Sequence, residues 1–347
     1  MFDETSLTKR LDKILKENNV AGMSVAVTDK EKTIYQKGFG VESVERPKNL
    51  TTPDTIYRLA SVTKVVTGMT ILSLVEDGIL DLDKPVKEYL PWLTLSNPKA
   101  EEQMTLRHLL THTSGLPRTR KIKEGSRDED TIEEALKREL PKCEMATLPE
   151  DGAFQYSNIG LSLAGQVAAS VTGKMYSSLA KEKIFVPLGM DKTTFDLHEA
   201  LTYPFSLGHQ EDENGKLWVV HYLRMNTLFR ASGGLYSNVI DLSKLLRCML
   251  NGGRSDSGVK VLNSEHIELM HTLKSKRQDS DDFYGLTTHI HKYKDRFIYG
   301  HNGQSKPYST SLYIDKETGY GIVTLINTDR ANLRTDIPDM ILDMIEE

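Results

Sequence analysis

The spacing Ser-x-x-Lys occurs five times along the 347-residue chain, beginning at Ser6, Ser61, Ser96, Ser178 and Ser257. A serine hydroxyl is a poor nucleophile until a neighbouring base takes its proton. Residues i and i+3 share a helix face, so a lysine at that spacing can supply the base. Only Ser61-Val62-Thr63-Lys64 sets its lysine inside an otherwise apolar helical run, residues 62–74. Ser6 lies on a charged N-terminal helix, Ser96 stands just before a proline, and Ser178 and Ser257 have polar surroundings. An unpaired ammonium in an apolar helix is costly, and burial lowers its pKa and makes the free amine accessible. A helix start at Ser61 adds backbone N–H groups and a positive dipole end that favour an oxyanion. On spacing alone, Ser61 as an N-cap with Lys64 reaching the surface is the plainer reading.

Two further groups bear on the same chemistry. Tyr156-Ser157-Asn158 opens an expected helix over 159–171; a tyrosine oxygen there can relay a proton, and Asn158 can hold the lysine and a substrate carbonyl. The same tripeptide recurs at Tyr236-Ser237-Asn238, again at a helix entrance, and spacing does not choose between them. His301-Asn302-Gly303 follows an expected strand and is flanked by Gly300; glycines in strands often mark close approach by another group. His108 and His112 stand at i,i+4, but Leu109 occupies the place of a metalloprotease glutamate, and no metal is expected there or at His289 and His291. Gly38-Phe39-Gly40 lacks the third glycine of a dinucleotide fingerprint, and no cofactor is expected.

The elements that must position these groups come from both ends of the chain. Leu7, Leu11, Ile14 and Leu15 mark an amphipathic helix, and residues 23–27 and 33–39 form a hairpin across a charged turn. Residues 62–74 read as a buried helix stopped by Asp77-Gly78. From 80 to 230, proline-punctuated loops alternate with short helices such as 131–140, and the polar stretch 118–130 is an expected exposed loop. A helix over 239–250 follows, then strands over 283–291, 296–301, 309–314 and 320–327, then a closing helix over 331–345. The expected fold is a mixed α/β (α+β) one. Residues 1–80 and 231–347 form an antiparallel sheet flanked by helices, and 81–230 form an inserted helical lobe of the same catalytic domain. The net charge of −5 is spread evenly, which argues against nucleic acid as a partner. Two cysteines build no disulfide framework, and no run is long enough to span a membrane. A charged N-terminus without a signal peptide points to a cytoplasmic protein, or a secreted one if a leader has been removed.

Taken together, these motifs resemble the serine β-lactamase and penicillin-binding-protein family, in the order Ser-x-x-Lys, Tyr-x-Asn, Lys/His-x-Gly. The phrases at 57–61, 105–116, 187–190 and 231–237 resemble its class C β-lactamase and esterase branch, and the likeness runs from about 20 to 327. It implies a serine hydrolase that forms a covalent acyl-enzyme with a small ester, amide or peptide substrate, β-lactams among them. Ser61 would be the nucleophile, Lys64 and Tyr156 would share the acid–base work, and Asn158 would orient Lys64. The backbone N–H groups of Ser61 and Gln304 would form the oxyanion hole, with His301, Asn302 and Gly303 beside the substrate. The likeness assigns the Tyr236 copy to a structural segment. It also marks a departure: His301-Asn302-Gly303 stands where β-lactamases carry Lys-Thr-Gly, and a neutral histidine suits a less anionic substrate. The pocket walls are expected at 118–130 and 204–225, with Tyr222 and Phe229 as apolar lining or core. The competing reading is a binder or sensor of the same fold that acylates slowly or not at all.

Overall fold

The computed structural model describes residues 3–118, 131–221, 227–277 and 280–347. Most of the expected loop at 118–130, and Tyr222, lie outside the described residues. Near the N-terminus run β1 (Gly22–Thr28), β2 (Thr33–Gly40) and the two-residue β3 (Tyr57–Arg58). The middle of the chain holds β4 (His209–Glu211), β5 (Leu217–Val219) and β6 (Tyr236–Ser237). The C-terminal part supplies β7 (Ser275–Lys276), β8 (Phe283–Tyr284), β9 (His289–Tyr293), β10 (Arg296–Ser305), β11 (Tyr308–Asp315) and β12 (Tyr320–Ile326). Eight of these form one antiparallel sheet in the order β2-β1-β12-β11-β10-β9-β8-β7, while β3 pairs with β6 and β4 with β5.

β1 and β11 are buried along their whole length, because helices cover both faces of the sheet. Side chains alternate between the faces. Met23, Val25 and Val27 meet Leu7 and Leu11 of α1 (Glu4–Glu17) and Ile337 and Ile341 of α7 (Leu333–Glu346). Ala26, Leu312, Val323 and Leu325 join the other core with α2 (Thr63–Glu76) and α6 (Val239–Leu250). Twelve of the fourteen residues of α2 are buried, so it is apolar nearly all round and lies between the sheet and the inserted helices. Those helices include α3 (Leu106–Leu110), α4 (Ile132–Glu139) and α5 (Asn158–Thr172). The fold is thus the expected antiparallel sheet flanked by helices with a mainly helical insertion.

Two details depart from the expected pattern. The strand at 283–291 is two strands, β8 and β9, paired Phe283 to Ile290 and Tyr284 to His289. The turn between them needs Gly285, where a Cβ would lie 2.1 Å from the Met270 carbonyl oxygen, and places Thr287 at φ 58°. Strand β10 does not end at His301 but runs on through Asn302 and Gly303 to Ser305. Its pairing with β11 continues from Tyr299 to Ser305, so the motif is held rigidly inside the sheet.

Candidate active site

Ser61 sits in a single helical turn, 60–62, between β3 and α2. The backbone before it is fixed from three sides. The Leu59 N–H donates to the Leu235 carbonyl, Thr310 Oγ1 donates to the Leu59 carbonyl at 2.8 Å, and Thr63 Oγ1 donates to the Ala60 carbonyl at 2.6 Å. Ala60 holds a left-handed φ of 49°, a conformation costing a non-glycine residue about 1–2 kcal/mol. Strand β10 passes directly beneath. A Cβ on Gly303 would lie 2.4 Å from the Leu59 carbonyl oxygen and 3.1 Å from the Ser61 nitrogen, so only glycine lets the strand come this near.

One turn into α2, Lys64 is completely buried. Its Nζ lies 2.7 Å from the Ser232 carbonyl oxygen, 2.9 Å from Asn158 Oδ1 and 3.2 Å from Ser61 Oγ. Burial drives its pKa below the ordinary lysine value, against the raising influence of Tyr156, with the Arg118 charge adding to the fall. The two oxygens of Ser232 and Asn158 accept only. A neutral amine must therefore spend both N–H bonds on them, and its lone pair is left facing Ser61 Oγ. Tyr156 Oη stands 2.9 Å from the same Oγ, and the Lys64 ammonium position is 4.9 Å from the Tyr156 ring centre.

The loop holding Tyr156 is shaped by His112, which takes a φ of 58°. The Gln155 N–H donates to the His112 carbonyl at 2.7 Å and the Ser157 N–H to His112 Nδ1 at 3.1 Å. The imidazole lies 4.3 Å from the Tyr156 ring centre and 4.6 Å from that of Tyr284. Burial, with Lys64 nearby, pushes its pKa well below the ordinary value, so it is a neutral aromatic platform. Ser157 caps α5 through the Gly160 N–H, which fixes Asn158 at the helix start.

His301 is 3% exposed and neutral, its pKa driven down by burial and then by the Lys64 charge; its Nε2 lies 3.0 Å from Tyr284 Oη. Ser61, Tyr156, Asn158, His301, Asn302 and Gln304 line one cleft of about 420 Å³. Gln304 is tied by its Nε2 to Asp329 Oδ1 at 2.7 Å. The second tripeptide lies elsewhere: Tyr236 pairs with Arg58 in the β3–β6 ladder and Asn238 caps α6 through the Asp241 N–H. His108 is used in a capping box with Thr105 at the start of α3. His289 and His291 both bind Asp282. Phe229 packs against the core and lines a separate pocket with Phe195 and Tyr236.

Several cleft residues were not foreseen. Ser232 lies in a phrase marked at 231–237, but its role is played by a backbone carbonyl that no side-chain pattern announces. Arg118, the first residue of the wall expected at 118–130, lines the cleft, as do the unforeseen Arg277, Arg334 and Tyr284. They come from distant parts of the chain and share no spacing that sequence reading can detect.

Comparison with known proteins agrees with this fold. A family model described as Beta-lactamase matches residues 7–342. The chain is 24% identical over 323 residues to Protein flp of Staphylococcus aureus strain N315, covering 92% of this chain but 63% of that protein. It thus spans under two thirds of the length of those relatives. Penicillin-binding protein 4 of Amycolatopsis lactamdurans is 23% identical and matches all of this chain and 90% of its own. Among solved structures, D-amino acid amidase from Ochrobactrum anthropi SV3 superposes with a TM-score of 0.82 at 26% identity, covering 98% and 99% of the two chains. The octameric penicillin-binding protein homologue from Pyrococcus abyssi gives 0.83 at 27% identity, covering 98% of this chain and 78% of that one.

Proposed function

The chain belongs to the β-lactamase family of serine hydrolases, and on that premise we propose that it cleaves small esters and amides, peptides among them, through an acyl-enzyme on Ser61. The observation that carries this reading is the geometry of Lys64, buried with two acceptors taking its N–H bonds and its remaining valence facing Ser61 Oγ. In the first step Oγ bonds to the substrate carbonyl carbon and its proton passes to Lys64. Asn158 and the Ser232 carbonyl hold the resulting ammonium. The oxyanion forms against backbone N–H groups expected from Ser61 and Gln304, donors that sit on the rigid turn and on β10 and need no reorganisation. Collapse expels the alkoxide or amine, which takes its proton through Tyr156, whose Oη stands beside Oγ. Water then attacks the ester carbon, gives its proton to the same base, and releases the acid and free Ser61.

An amide-cleaving version is supported by the likeness to D-amino acid amidase over nearly all of both chains. The test is hydrolysis of 4-nitrophenyl pentanoate and of D- and L-phenylalanine amide by wild type and Ser61→Ala, with labelling of each by a fluorophosphonate. Turnover and labelling that vanish together in Ser61→Ala support the reading. Equal activity in both proteins removes Ser61 from the chemistry. Stoichiometric labelling without turnover would favour a slowly acylating sensor.

A further inference from the structure

Three arginines, Arg118, Arg277 and Arg334, face the cleft that holds Ser61, and none of the described residues lining it is a carboxylate. They arrive from separate parts of the chain: the segment after α3, the residue that follows β7, and the first turn of α7. Arg118 lies over the Tyr156 ring at 5.3 Å. Arg277 Nη1 is 2.8 Å from His289 Nε2, and Arg334 Nε donates to the Ala331 carbonyl. Among the described residues, the nearest acids are already engaged. Asp282, 3.9 Å from Arg277, is shared between His289 and His291, and His291 is cationic, because its bonds to Asp282 and Asp339 outweigh burial and raise its pKa to about 9. Asp329 accepts from Gln304 and lies 3.6 Å from Lys306 Nζ. With these acids and their cations counted, the described residues around the cleft retain two positive charges beyond Lys64.

Like charges gathered in a half-buried cleft repel one another; burial depresses the pKa of the Arg334 guanidinium, and Arg277 adds to the fall against the raising influence of Tyr313 and Asp329. Such a cluster costs stability in the free protein and is relieved by a bound anion. Guanidinium forks match carboxylates in a bidentate way. The charge sits in two places, Arg277 with Arg334 on the His289 side and Arg118 over Tyr156. Histidine at 301 in place of lysine pointed to a less anionic substrate; in the folded protein the positive charge comes from other elements. Resting on the hydrolase reading above, we propose that the substrate is a dianion, an ester or amide carrying two carboxylates, one clamped by Arg277 and Arg334 and the other met by Arg118.

Four esters of one scaffold test this. They are 4-nitrophenyl pentanoate, mono-4-nitrophenyl glutarate, 3-carboxy-4-nitrophenyl pentanoate and mono-(3-carboxy-4-nitrophenyl) glutarate, each rate taken relative to the ester's spontaneous hydrolysis. The expected kcat/KM rises about tenfold with one well-placed carboxylate and further with two, and the preference shrinks in 0.5 M salt. It collapses in R277Q/R334Q, falls for the dianion in R118Q, and is largely retained in R334K, which keeps the charge. A neutral ester that is as good as the dianion, a dianion no better than the better monoanion, or a ranking that survives in R277Q/R334Q with its fold intact by circular dichroism overturns the inference. Turnover of the neutral ester that requires Ser61 would leave the hydrolase reading standing in each of those cases. If no ester is turned over, calorimetric titration with glutarate and with its neutral diamide decides. Binding of glutarate alone, abolished in R277Q/R334Q, supports the dianion site while the hydrolase reading fails; equal or no binding overturns the site as well.

Discussion

At the scale of single residues, Lys64 is the group on which the proposed chemistry turns. A fully buried lysine is rare unless its polar atoms are satisfied, and here three oxygens surround Nζ. Replacing Lys64 with methionine keeps the side-chain volume and removes the base. The expected result is a fall of about 10²–10⁴ in kcat/KM for any ester the wild type cleaves. Steady-state kinetics and the rate of fluorophosphonate labelling check it; a loss under about threefold would take Lys64 out of the proton path. The pH dependence follows with a definite sign. With Lys64 as the proposed base, the free amine is the active form, and burial favours it, so activity is expected to rise with pH along a limb that lies below the ordinary lysine value of 10.5. In Lys64→Arg, whose guanidinium stays charged throughout, that limb disappears. A wild-type profile that falls as pH rises from 6 to 9 would contradict the assignment.

At the scale of elements, the site exists because a strand and a helical turn approach more closely than side chains allow. Gly303 on β10 lies against Leu59 and Ser61, and Gly68 lets α2 meet Thr287, whose Oγ1 would lie 1.9 Å from a Cβ there. Gly303→Ala must push β10 from the Ser61 turn or bend the turn itself. The expected cost is about 1–3 kcal/mol of stability, as for other overpacked sites. Activity is expected to fall further than the unfolded fraction explains, because the displaced groups are the turn and the strand proposed to frame the oxyanion. Urea unfolding and ester hydrolysis on the same preparation separate the two effects; a stable, fully active variant would show that β10 is not a wall of the site. Sequence reading could see the glycines at 300 and 303 and the run of α2, since pattern and residue type are local. It could not see that His112, at i+4 from His108, serves as a platform under Tyr156. That role depends on a left-handed backbone residue and on the β8–β9 turn that brings Tyr284 alongside.

At the scale of the whole molecule, apolar periodicity is enough to place the sheet at the two ends of the chain and the helices between them. Charge placement is a different matter, because ion pairs join residues far apart in sequence and leave no period to read. The clearest case links β9 of the sheet to the closing helix. His291 on β9 lies 3.0 Å from Asp282 and 3.4 Å from Asp339 on α7. Burial opposes its charge, yet the two carboxylates prevail and hold its pKa at about 9, against an ordinary histidine value of 6.5. A pKa raised on folding stabilises the native state fully below the unfolded value and loses that contribution as pH climbs through the folded one. Stability that depends on His291 is therefore complete below about 6.5 and gone above about 9, with a span of about 3 kcal/mol. Burial would raise the pKa of Asp282, but the same histidines outweigh it and hold it low, so it stays ionised across that window and adds no slope of its own. Urea unfolding of wild type at pH 6 and pH 9.5, compared with His291→Asn, isolates the effect. The variant is expected to lose most of the difference between the two pH values and to be the weaker protein mainly at pH 6. Equal differences in the two proteins would mean that the cation at His291 does not tie α7 to the sheet, and that the apolar contacts of Ile337 and Ile341 hold that helix without it.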